Sequence, residues 1–263
     1  MNRLNRRDTI KGLTLGAFAG LGTRLASATE SEPLCPRKPE RWEPVDVLVC
    51  GGGPAGIAAA MMAARSGAKT LLVERYGRLG GMAVQAMVGP LMGNVRSAWV
   101  DEILQHIGGR RVDYEFIDLK YAELLQEAGC QILLHAWIAE PLLDGERVIG
   151  ARLATKQGMI DVKARVTVDA TGDGDTFGHA GAAFRKGSEV QPMTLTFVMG
   201  GVPTDTWPRV VTEERYRAFR AAYDRFGYPS KSRGFALFPT HRKGEVYANV
   251  TRVFGDCTSA EDL

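Results

Sequence analysis

Residues 45–74, VDVLVCGGGPAGIAAAMMAARSGAKTLLVE, constrain the fold of this chain more than any other stretch. An apolar run from Val45 to Cys50 meets Gly51-Gly52-Gly53-Pro54-Ala55-Gly56, an alanine-rich helical segment follows and stops at Gly67, and a second apolar run ends on Glu74. Strand, glycine turn, helix and strand make one βαβ unit, with two parallel strands joined by a crossover helix. The glycine spacing has a purpose at each position. Gly51 permits the tight turn, Gly53 lets backbone approach a pyrophosphate, and Gly56 lets the helix lie close on the strand. The helix start, with Pro54 and Ala55 in its first turn, presents free N–H groups and a positive dipole end to phosphate. Glu74 follows Gly56 by 18 residues, where an acid can accept from a ribose hydroxyl. A glycine turn alone is equally well a structural turn; the complete unit selects a dinucleotide site.

The chain has 263 residues, room for one large domain or two smaller ones, and its 45% hydrophobic and 24% charged content is that of a globular protein. Its net charge of +3 resides in residues 1–28, which carry +4, so the remainder is −1 and offers no nucleic-acid surface. Residues 1–28 read as a secretory leader: Arg6-Arg7 and Lys11, then an uncharged stretch from Gly12 to Thr23, then Ala26-Ser27-Ala28 as a cleavage site. The arginine pair and glycine-rich apolar region match a twin-arginine signal, although Thr9 stands where a bulky apolar residue is usual; a Sec signal or a basic N-terminal helix is the alternative. Export by the twin-arginine machinery to the periplasm, or another extracytoplasmic space, is therefore expected. That route carries folded proteins, so a cofactor bound in the cytoplasm can travel with its protein. Twelve uncharged residues are too few to span a bilayer, so no permanent membrane anchor is expected.

Residues 29–44 are rich in proline and charge and read as a linker. Helical spacing of apolar residues predicts helices near 99–107 and 118–128, stopped by Gly108-Gly109 and Gly129. The period then changes. Strands are expected at Gln131–Leu134, Trp137–Leu143, Val148–Ala154 and Met159–Lys163, with turns at Asp144-Gly145 and Gln157-Gly158, and a final strand at Ala164–Asp169. The fold class is thus α/β: a Rossmann-like cofactor domain over 45–187 with an inserted antiparallel β-meander. Beyond it, strands at Met193–Met199 and Val246–Val253 and a helix at Thr212–Phe226 mark an α+β substrate or cap domain over 188–263. The cysteines Cys35, Cys50, Cys130 and Cys257 form no CxxC pair and no zinc-type cluster, and no metal site is expected. Cys50 and Cys130 read as small core residues.

Three elements now stand in order: GGGPAG with Glu74, the loop Leu79-Gly80-Gly81-Met82, and Val168-Asp169-Ala170-Thr171-Gly172-Asp173. Together they resemble the FAD-dependent oxidoreductases of the glutathione-reductase-like superfamily. LLVERYGRLGGM, DATGDGD and Gln191-Pro192-Met193-Thr194-Leu195 narrow the resemblance to the family related to fumarate reductase flavoproteins and the heterodisulfide reductase flavin subunit. The resemblance implies FAD as cofactor. Gly51, Gly53, Pro54, Ala55, Gly56, Glu74 and Arg75 would hold its pyrophosphate and adenosine, with the Ile138 backbone beside the adenine. Gly80, Gly81 and Met82 would lie near the ribityl chain and flavin, and Thr171, Gly172 and Asp173 would return beside the first glycine turn. Relatives on the heterodisulfide reductase side carry a 4Fe–4S cluster; the scattered cysteines argue against one, because clusters need closely spaced thiolates. The superfamily also closes its flavin with a glycine-containing turn and helix near the C-terminus. None is found before Leu263, so the substrate domain is expected to be incomplete.

The resemblance implies hydride or electron transfer between a small-molecule substrate and the flavin, with a separate electron donor or acceptor. Its catalytic residues are not legible. His241 and Arg252 are candidates for binding an anionic or carbonyl substrate, but His241 also reads as a solvated turn residue and Arg252 as an ordinary strand residue. Two alternatives stay open here: an NAD(P)-dependent dehydrogenase built on the same fingerprint, and an inactive flavin-binding fragment.

Overall fold

The computed structural model describes residues 42–88, 97–109, 114–187, 191–203, 213–227 and 236–255, which all lie in one compact unit, Lys38–Leu263. The proposed leader, most of the linker, Cys35 and Cys257 fall outside the described residues. The elements run β1 (Val45–Cys50), α1 (Pro54–Arg65), β2 (Thr70–Val73), a 3₁₀ turn (Gly81–Ala83), α2 (Ala98–His106), α3 (Ile117–Glu127), β3 (Gln131–Leu133), β4 (Trp137–Asp144), β5 (Arg147–Thr155) and β6 (Gly158–Asp169). Then follow α4 (Asp175–His179), β7 (Met193–Gly200), α5 (Glu213–Arg225), β8 (Ala236–Pro239) and β9 (Glu245–Val253).

Six strands form one sheet in the order β3-β2-β1-β6-β5-β4. The parallel pairs β3/β2, β2/β1 and β1/β6 build its cofactor half, and β4, β5 and β6 form the antiparallel meander. The mixed α/β architecture read from the sequence is therefore present. Alternation along the parallel strands decides which layer each side chain meets. Val49 and Leu72 face α1 and α3, packing with Ile57, Ala60, Met61, Tyr121, Leu124 and Leu125. Their neighbours Leu48, Cys50, Leu71 and Val73 face the other way and pack with Ala151, Leu153, Ile160 and Val162 of the meander. The result is three layers, helices, parallel sheet and meander. Trp42, just before β1, packs onto the meander side.

One sequence expectation needs correction. The strands read separately at Met159–Lys163 and Ala164–Asp169 are a single strand, β6, of 12 residues. No glycine or proline interrupts it after Gly158; it changes partner rather than direction. Up to Lys163 it pairs antiparallel with β5, and from Ala164 it pairs in parallel with β1. The sheet curls at this change, and Gly150 lies opposite Lys163. Gly150 has φ +145°, and a Cβ there would lie 2.0 Å from the Val162 carbonyl oxygen. The strands can approach this closely only where the side chain is absent. Two short elements, α4 and β8, were not anticipated.

The second sheet is antiparallel, in the order β7-β9-β8. It is tied to the first part of the chain by the Thr196 hydroxyl, which donates to the Ala86 carbonyl at 3.1 Å, and by Arg242, which donates to Glu115 at 2.6 Å. No helix among the described residues is long and apolar enough to cross a membrane.

Replacing Gly150 by alanine should destabilise the fold by about 3 kcal/mol or more, since both the dihedral and the Val162 carbonyl oppose a methyl group. Urea unfolding followed by circular dichroism measures this; a midpoint unchanged from the parent would show that the curl does not depend on a bare backbone.

Candidate functional site

The glycine turn is a backbone-on-backbone contact between β1, α1 and β6. Gly51 has φ +108°, and a Cβ there would sit 2.2 Å from the Ala170 carbonyl oxygen. A Cβ on Gly56 would sit 1.8 Å from the Gly51 carbonyl oxygen, so α1 rests directly on the turn. The parallel ladder continues into it: the Gly51 N–H donates to Val73 O at 2.8 Å, and the Ala170 N–H donates to Cys50 O at 2.8 Å.

Gly53 differs from both. Its φ is −74° and ψ 179°, an ordinary extended conformation, and the nearest atom to a Cβ would be Gly81 Cα at 3.9 Å. Nothing in the chain itself demands glycine here. The space a side chain would fill lies beside the start of α1, where Pro54 occupies the first turn, no acid intrudes and no side chain caps the N–H groups. An open cradle beside an uncapped helix N-terminus fits a pyrophosphate.

Glu74 is buried at the end of β2. One carboxylate oxygen accepts from the Gly52 N–H at 2.7 Å and the other from the Tyr76 N–H at 2.9 Å. Each oxygen keeps a lone pair for a ribose diol. The acid thus also holds the turn together, and Gly52 is a residue the sequence reading missed. Its signal was the extra glycine in the run: a Cβ there would lie 2.9 Å from Leu79 and 3.0 Å from Glu74.

The loop Leu79–Met82 docks on this turn through the Gly80 N–H, which donates to Gly52 O at 2.8 Å, and Gly81 packs on Gly53. Arg78 anchors the loop to the start of α3, donating to Asp118 at 2.6 Å and to the carbonyls of Tyr114 and Glu115 at 3.1 and 2.9 Å. Met82 is exposed beside it. The third element is organised by Asp169, also unassigned from sequence. Its Oδ1 accepts from the Thr171 N–H and hydroxyl at 3.1 and 2.7 Å, and its Oδ2 accepts from the Phe177 N–H at 2.9 Å. The Thr171 hydroxyl in turn accepts from the Asp175 N–H at 3.0 Å, so Gly172 and Asp173 form an exposed loop pinned at both ends.

Gly51, Glu74, Arg75, Ile138 and Thr171 line one cleft together with Val73, Ala136, Trp137 and Asp175. The structure therefore brings together residues as distant in sequence as Gly51 and Thr171, which the sequence reading assigned to one site. His241 and Arg252 are not among the lining residues. His241 packs edge-on to Phe116 at 5.5 Å and lies 3.6 Å from Glu115, while Arg252 is exposed on β9 opposite Thr194. Cys50 and Cys130 are buried free thiols, and burial pushes the Cys50 thiol up to about 12 and that of Cys130 to about 11. Among the described residues no group of three or more His, Cys, Asp or Glu could hold a metal ion.

A family model for FAD dependent oxidoreductases matches residues 46–261. The chain belongs to that family. Its cofactor is FAD, and the open cradle at Gly53, the uncapped start of α1 and the spare lone pairs of Glu74 fit the adenosine diphosphate half of that molecule. Among curated proteins, a digeranylgeranylglycerophospholipid reductase of Picrophilus torridus is 29% identical, with 51% of this chain and 40% of the relative covered. Thiamine thiazole synthase of Methanococcus vannielii is 28% identical, with 49% of this chain and 56% of the relative covered. The chain thus spans about half the length of these curated relatives. Among solved structures, a geranylgeranyl bacteriochlorophyll reductase-like protein from Thermoplasma acidophilum superposes with a TM-score of 0.56 at 19% identity, covering 80% of this chain and 57% of its own. L-proline dehydrogenase from P. horikoshii gives 0.53 at 12% identity, covering 84% and 74%. At such identities the likeness is one of fold.

Two of the fingerprint glycines should separate experimentally. Gly53→Ala is expected to keep the stability of the cofactor-free protein to within about 1 kcal/mol, as a cap change does, while lowering FAD affinity at least about tenfold. Gly51→Ala should lower stability itself by about 2 kcal/mol or more, through its positive φ and the Ala170 carbonyl. Thermal melts with and without FAD read both quantities.

Proposed function

We propose that this protein is an exported FAD-dependent oxidoreductase that passes hydride or electrons between a small-molecule substrate and a separate electron donor or acceptor. The observation that carries the reading is the cradle at Gly53, open and lined by uncapped amides within the fold of a flavoprotein family. Gly51 to Gly56 and the start of α1 would hold the pyrophosphate, and Glu74 the ribose. Arg75 and Ile138 would border the base, and Gly80, Gly81, Met82, Thr171, Gly172 and Asp173 the remainder of the cofactor. Bound FAD supplies the redox chemistry; the chain's own contribution is to bind it and orient it. The family match favours this reading over a nicotinamide-dependent dehydrogenase.

Export is supported by Arg6-Arg7, the uncharged stretch Gly12–Thr23 and Ala26-Ser27-Ala28. It suits a protein whose cofactor must be acquired before transit.

Purified protein should show flavin absorption in the visible and release FAD, identified by chromatography, on denaturation. A colourless, folded protein that takes up no FAD on reconstitution would overturn the cofactor assignment. For the address, Arg6-Arg7 changed to Lys-Lys should leave the protein in the cytoplasm, as judged by fractionation; undiminished export would reject the twin-arginine route.

A further inference from the structure

We propose that Trp137 and Arg75 form the wall on which the purine base of the cofactor stacks, an inference that rests on the FAD reading and assigns Trp137 a role in it. Trp137 opens β4 immediately after the buried Ala136, yet is 52% exposed. Its cross-strand neighbour is the small Ala154, so β5 places no large side chain opposite it. Trp137 therefore leaves an open aromatic face on the cleft it lines.

Arg75 is held against that ring. Its guanidinium carbon lies 5.0 Å from the Trp137 ring centroid and 4.8 Å from that of Tyr76. Among the described residues Arg75 makes no ion pair, so its described contacts are these two rings. A guanidinium held by aromatic faces is flat, charged and pre-oriented, and heteroaromatic bases stack on guanidinium and indole planes alike.

The identity of the stacked group follows from the cleft. Trp137 and Arg75 share it with Glu74, Gly51 and Ile138. If Glu74 takes a ribose and the start of α1 takes the pyrophosphate, the group on the far side of that ribose is the base. The lone pairs of Glu74 therefore fix which end of the dinucleotide reaches Trp137. The isoalloxazine, on the other side of the pyrophosphate, does not.

Tryptophan fluorescence of the full chain tests this, with ADP as the main probe. ADP carries the base and diphosphate but no flavin, so energy transfer to a flavin cannot mimic stacking. The chain has four tryptophans, so the Trp137 signal is the difference between the parent and Trp137→Phe. ADP should quench the parent, and this quench should be lost in Trp137→Phe. Trp137→Ala should weaken FAD and ADP about tenfold, while Trp137→Phe, which still stacks, should stay within about twofold of the parent. If the parent binds FAD but Trp137→Ala binds it equally, or if ADP quenches Trp137→Phe as fully as the parent, the stacking role is wrong while the cofactor reading stands. If the parent binds neither FAD nor ADP, both fall together. The Trp137→Phe readout does not depend on the alanine variant folding.

Discussion

The contact among Gly51, Gly56 and the Ala170 carbonyl is the constraint on which the rest of this structure depends. Backbone meets backbone there at distances that no Cβ would allow. The first strand, the first helix and the last strand of the cofactor half converge on that point. Because α1 rests on the turn, its first N–H groups open beside the cradle at Gly53. Because β6 ends against the turn, the Asp169–Thr171 loop is delivered to the same place. Glu74 then closes the arrangement from the second strand by accepting from the Gly52 amide. One acid serves both as a brace for the turn and as an acceptor facing the cleft.

The meander is a consequence of how β6 is shared. β6 pairs in parallel with β1 at one end and antiparallel with β5 at the other, and beyond the change of partner the sheet curls so that the meander packs back onto β1 and β2. Gly150, opposite the point of change, makes the curl possible. The curl lets Ala151, Leu153, Ile160 and Val162 cover the face of β1 and β2 that the helices leave bare. It also sets β4 beside the end of β2, which is how Trp137 and Ile138 come to share a cleft with Glu74 and Arg75.

Much of this was legible in the residues, for identifiable reasons. The βαβ unit announces itself because glycine spacing, helix composition and strand alternation all report local geometry. Gly51 and Gly56 could be assigned from spacing because their constraint is steric. Other features were not legible. The continuity of β6 was hidden because a change of pairing partner leaves no mark on a strand's own sequence. Asp169 and Gly52 were missed as positioning residues because their hydrogen-bond partners lie across a turn or 22 positions away. Trp137 read as one more strand residue, since only the cross-strand register shows that Ala154 stands opposite it.

By itself, the sequence determined the local units and the chemistry they can offer: a glycine turn shaped for phosphate, an acid at the end of the second strand, the paired glycines Gly80-Gly81, and the glycine loop after Asp169. Those follow from dihedral freedom, helix dipoles and apolar periodicity, which act over a few neighbouring residues. Only the tertiary structure decided which of them meet. It placed Glu74, Arg75, Trp137, Ile138 and Thr171 around one cleft and left His241 against Glu115 and Phe116. The physical reason is that strand order, partner exchange and sheet curl are set by burial summed over distant segments, and no single stretch of sequence carries that sum.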